Sequence, residues 1–153
     1  MNVQTKDIPT RAANREIENI RDEDDLKKTI MIGHDYVDTI FVRDAARFME
    51  LTGITRQKMA IIVAPVMSSG HLYSLLNGNR KPNKREHVIA IGLALGLSVD
   101  DMTILLKDSG DRGLDTRRSI GDTVVIYGIS NKLSLIDIND MLHEVGADYV
   151  LFD

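Results

Sequence analysis

The sequence predicts an all-α fold, and three observations carry that prediction. Aromatic residues make up 5% of the 153-residue chain and there are only 3 prolines, while Leu, Ile, Ala and Met are plentiful. That composition favours helices over packed β-sheets. From about residue 42 onward, apolar positions recur at intervals of three and four, the repeat of a single helix face. Most of these runs end in Gly or Asn-Gly, the usual punctuation of a helix C-terminus.

Three parts follow one another along the chain. Residues 1 to about 35 form a polar arm. It holds Glu16, Glu18, Asp22, Glu23, Asp24 and Asp25, with short helices expected near Arg11 to Arg21 and Asp25 to Ile32 and a stop at Gly33. The arm reads as a solvated segment or a loosely docked helix pair, with an acidic shield against DNA as the sharper alternative.

Residues 36–108 read as a compact helical domain. A first helix covers roughly Val42 to Leu51, with Val42, Ala45, Phe48 and Met49 inward and Gly53 as its stop. Thr55 is a good N-cap for a second helix, whose inward face is Met59, Ala60 and Val63 before Ala64-Pro65 ends it. Ser68 or Ser69 caps a third helix carrying Leu72, Leu75 and Leu76, closed by Asn77-Gly78. Pro82-Asn83 is expected to open a fourth, with Val88, Ile91 and Leu95 inward and Gly96 at its end. Ser98 with Asp101 resembles a capping box for a fifth.

Asp108 to Gly113 reads as a flexible link to a C-terminal helical hairpin and tail, residues 114–153. Ile120, Val124 and Tyr127 are expected to line one of its helices. Ser134 caps the next, which carries Leu135, Ile138, Leu142 and Val145 and stops at Gly146.

The composition excludes several functions. There is no cysteine, so disulfides, thiolate metal sites and thiol catalysis are ruled out. No apolar run reaches the roughly 18 to 20 residues of a membrane span, and the first 26 residues contain no apolar signal-peptide core. A cytoplasmic protein without a membrane partner is expected. His34, His87 and His143 lack metal-ligand spacing. No phosphate-binding glycine loop, serine elbow or paired-carboxylate cleft is present. The chain reads as a non-enzyme with no cofactor and no metal.

Charge is distributed unevenly. Between Leu51 and Ala90 the bases Arg56, Lys58, Arg80, Lys81, Lys84 and Arg85 face one acid, Glu86, a local +5 in a chain of net charge -4. A cationic patch on an acidic protein is the footprint of a polyanion partner.

The run LYSLLNGNRKP, followed by a helix and GLSVDD, resembles the phage-repressor (Xre or Cro) type of bacterial helix-turn-helix protein. RRSIGDTVVIYGISNKLSLIDINDMLHEVG is similar to the C-terminal helices of small regulators of this type, and the likeness spans Phe41 to Gly146. It implies a five-helix repressor-like domain with an appended C-terminal hairpin and a polar N-terminal arm. It also implies a transcriptional regulator that binds double-stranded DNA. The third helix would enter the major groove, making Ser68, Ser69, His71, Tyr73 and Ser74 base-facing. Asn79, Arg80, Lys81 and Lys84 would meet phosphates; the basic block adds Arg56 and Arg85 to them.

Two features set the sequence apart from the family. The turn Ala64 to Met67 is about two residues longer and contains a proline, which offsets the third helix against the second. The groove-facing residues include no Arg, Gln or Asn for bidentate base reading, so backbone binding is better supported than sharp specificity. The alternative function is a helix-turn-helix fold that binds an unidentified protein partner. A homodimer is expected, joined by the hairpin or the tail, because one such unit reads only a few base pairs.

Overall fold

The computed structural model describes residues 40–153. The arm over residues 1–35 and its two expected helices lie outside the described residues. Among the described residues there are seven helices and no strand, which is the all-α class. They are α1 (40–52), α2 (Arg56–Val63), α3 (Ser69–Asn77), α4 (Arg85–Ala94), α5 (Val99–Asp108), α6 (Ile120–Ser130) and α7 (Leu135–Glu144).

Local chemistry sets most of the starts. The side chains of Thr55, Ser68, Ser98, Ser119 and Ser134 each accept a hydrogen bond from a backbone N–H three residues on, at Lys58, His71, Asp101, Asp122 and Asp137. Each such cap contributes about 1 kcal/mol. α3 ends where Gly78 takes φ 83°, a left-handed conformation that costs other residues strain. The start of α4 differs from expectation. The helix opens at Arg85 rather than at Pro82-Asn83, and its cap residue, Lys84, makes no side-chain capping bond.

α4 is the centre of the molecule. Val88, Ile89, Ala90, Ile91, Gly92 and Ala94 are all buried, and the helix packs on α2, α5 and α7. A helix apolar on nearly every side has to be enclosed. The core is continuous from Phe41 to Leu151, so the hairpin shares it with α1–α5. At Gly128 an added Cβ would overlap Ile138, so this glycine lets α7 approach the backbone of α6.

Two further expectations are corrected. Ile120, Tyr127 and Val145 do not line the hairpin core but are more than half exposed. The inward face of α6 is Gly121, Asp122, Val124, Val125 and Gly128. The link after α5 is also pinned rather than loose: the carbonyls of Arg112 and Gly113 accept from Arg85, and the Asp115 N–H donates to Asp122. The tail is held as well. The buried Asn139 amide accepts from the backbone N–H groups of Leu151 and Phe152 and donates to the Phe152 carbonyl.

Candidate nucleic-acid interface

α3 packs on α2 through the apolar residues Leu72, Leu75 and Leu76, which leaves the start of the helix outside. Ser68, Ser69 and Gly70 are exposed, while Tyr73 and Ser74 are half-buried. Nothing from Leu51 to Arg85 is acidic, so the open N–H groups and positive dipole end of α3 have no anionic neighbour on their own segment. The Arg56 guanidinium donates to the Asn77 side-chain oxygen at 2.6 Å, tying the start of α2 to the end of α3. The two helices therefore present one surface.

The basic loop lies directly after α3. Asn79, Arg80, Lys81 and Lys84 are exposed, and buried Pro82 anchors the loop between them. Among the described residues, no acid lies within ion-pair distance of Arg56, Arg80, Lys81 or Lys84. No acid of the described residues compensates their charges, which suits a polyanion.

Two expected contact residues turn away from this surface. Arg85 is withdrawn from the phosphate set. Its side chain is only 12% exposed and pairs with Asp122 at 2.8 Å and Asp111 at 3.2 Å. His71 is withdrawn from the base-facing set. Arg80 donates to its Nδ1 at 3.1 Å, since a guanidinium can only donate. The proton of the neutral ring then sits on Nε2, which is buried. The ring also meets His87 of α4 edge-on, with centroids 5.0 Å apart. His71 thus positions Arg80 rather than presenting itself to a base.

His87 gives the protein a pH dependence. The pKa of His87 lies below its ordinary 6.5, first through burial and then through the nearby His71 and Lys84. Below pH 6.5 the unfolded chain takes up the proton before the folded one does. Stability is therefore complete above about pH 6.5 and is lost as the pH falls through the depressed folded value. A urea midpoint that declines between pH 7 and pH 5 in the wild type, and is flatter in His87→Gln, is the expected result.

Sequence reading missed a buried hub behind the interface. Asp122 is fully buried. Its carboxylate accepts from Arg85, from Arg112 at 2.7 Å, from the Asp115 N–H at 2.9 Å and from the Tyr149 hydroxyl at 2.7 Å. Burial pushes its pKa up, but these four donors outweigh burial and hold it below the ordinary carboxylate value. Burial and the Asp122 charge push the Tyr149 hydroxyl well above the usual phenol range. Gly121 makes room for the Tyr149 ring, which an added Cβ would strike. One signal was available: Asp122 is the single charged residue of α6, and a lone charge in an apolar helix points to a buried partner.

An open cleft of about 320 Å³ lies beside α4, lined by Val66, Lys84, Glu86 and His87 on one side and residues 150–153 on the other. Among the described residues, no three His, Asp or Glu side chains come together as a metal site would require, and no helix is long and apolar enough to cross a membrane. Comparison with protein-family models, with curated proteins and with solved structures finds no match.

Proposed function

We propose that the chain is a transcriptional regulator that binds double-stranded DNA, with α3 in the major groove and the 79–84 loop on the phosphate backbone. One observation carries this reading. α3 is flanked by four cations with no acidic partner among the described residues: Arg56 is bonded to Asn77 at its end, Arg80 reaches back to His71 near its start, and Lys81 and Lys84 lie in the loop that follows it. Phosphate contacts would come from these four and Asn79. Base contacts would come from Ser68, Ser69, Tyr73 and Ser74. Such side chains make single hydrogen bonds, so most of the affinity is electrostatic and discrimination between sequences is modest.

Specificity and affinity should separate on mutation. Tyr73→Phe keeps the ring that packs against the core and removes only the hydroxyl; Ser69→Ala removes a hydroxyl at an exposed position. The double variant should lose about 1 kcal/mol of preference between a good and a poor site, roughly fivefold, with non-specific binding unchanged. A binding panel on randomised duplexes reads this directly. If the preference survives intact, α3 is not the reader. The second reading, a protein-interaction module, then moves ahead. It is favoured by Leu51 and Ile61, which are 71% and 76% exposed.

A further inference from the structure

The basic loop lies beside the start of α1. A Cβ added at Gly78 would meet the Val42 side chain at 3.3 Å, so the first turn of α1 rests against the end of α3. Arg80 and Lys81 follow directly in the chain. Both are exposed, and neither has an acid within ion-pair distance among the described residues. The acid nearest Val42 in sequence, Asp44, is buried beside its own neighbours Arg43 and Arg47. Lys84 shares its cleft with Glu86 and Asp153, so the open charge of the loop rests on Arg80 and Lys81.

The segment that leads into α1 carries four consecutive acids, Asp22, Glu23, Asp24 and Asp25. Such a run places one negative charge per residue, at most about 3.4 Å apart, and phosphates follow one another at about 3.4 Å along one DNA strand. Arg21 precedes the run and Lys27 and Lys28 follow it, yet with Glu16 and Glu18 residues 16–28 still carry a net charge of -3. Asp25 lies 15 residues before Ile40, a tether of up to about 50 Å that ends beside the loop. Reach therefore sets no limit. A tether of this kind gives an effective concentration on the order of millimolar, enough for weak surface ion pairs to form. We propose that the Asp22–Asp25 run docks on Arg80 and Lys81 of its own chain and competes there with DNA phosphates. The competition rests on the DNA-binding reading; the docking does not.

The chain has no cysteine, so a nitroxide attached at Asn19→Cys is its single spin label and reports on docking without DNA. In the full chain at low salt it should broaden the amide signals of Asn79, Arg80 and Lys81. Asp22→Asn/Glu23→Gln/Asp24→Asn/Asp25→Asn should cut that broadening by about threefold or more, and so should about 0.5 M salt on the unneutralised chain, where the screening length is about 4 Å. Broadening that is never present, or that survives both changes, overturns the docking. Without the label, the neutralised chain should bind duplex DNA about tenfold more tightly at about 0.15 M salt, as the loss of two exposed ion pairs allows. Asp137→Asn/Asp140→Asn, which removes two exposed acids from α7, should stay within about twofold of wild type. A docked run whose neutralisation leaves DNA affinity unchanged, or matched by the α7 variant, overturns the competition. Absence of DNA binding in every variant, with the broadening intact, removes the DNA reading and the competition but not the docking.

Discussion

Asp122→Ala should destabilise the protein by about 3–5 kcal/mol, the expected cost of removing one member of a buried ion-pair network. The size follows from what the carboxylate holds. It pairs Arg85 at the start of α4 with Arg112 in the link and Tyr149 in the tail, and it accepts the Asp115 N–H. Without it two guanidinium groups, a phenol and a backbone donor lose their shared acceptor, and two of the donors, Arg85 and Tyr149, are largely enclosed. Asp122→Asn should fall between the two, since it keeps the volume but not the charge. The depressed folded pKa fixes the sign of the pH effect. Asp122 contributes stability above its ordinary value of 3.8, and that contribution is lost as pH falls through the lower folded value. Urea unfolding at neutral pH measures the loss. A change within about 0.5 kcal/mol of wild type, the range of an ordinary surface substitution, would mean that the hub does not hold the hairpin and tail to the first five helices.

Helix starts were the most legible part of the fold. A Ser or Thr cap accepts from a backbone N–H three residues on, a purely local bond, so Thr55, Ser68, Ser98 and Ser134 are legible in the chain alone. The start of α4 could not. Lys84 makes no capping bond, and the guanidinium of Arg85 is oriented by Asp122, 37 residues away. That distance also explains why Arg85 passed for a phosphate ligand: local sequence shows a basic run but not which of its members has an internal partner. His71 misled for a related reason. Its place on α3 suggested a groove contact, whereas its ring lies between Arg80 and His87. The 3-4 rhythm placed Ile120 and Tyr127 inside, but the small residues Gly121 and Gly128 set the true inner face, because Tyr149 and Ile138 pack against them. The exposed start of α3 and the basic loop were legible because charge and capping are local.

A loop and helix that hold DNA through phosphate contacts must bind it in a strongly salt-dependent way. Four cations per copy with no acidic partner among the described residues, Arg56, Arg80, Lys81 and Lys84, give an expected log-log slope of roughly -3.6 per copy at about -0.9 per phosphate contact. Arg80→Ala/Lys81→Ala should reduce it to roughly -1.8 and weaken binding at about 0.15 M salt by about 30-fold per copy, on every duplex alike. Both side chains are exposed, so the variant should unfold at the same urea concentration as the wild type. The measurement is a fluorescence-anisotropy titration of both proteins against one duplex across a salt series. A steep wild-type slope that is halved in the variant is the predicted result. Equal slopes for the two proteins, or no binding by the wild type even in low salt, would mean that this surface does not bind DNA.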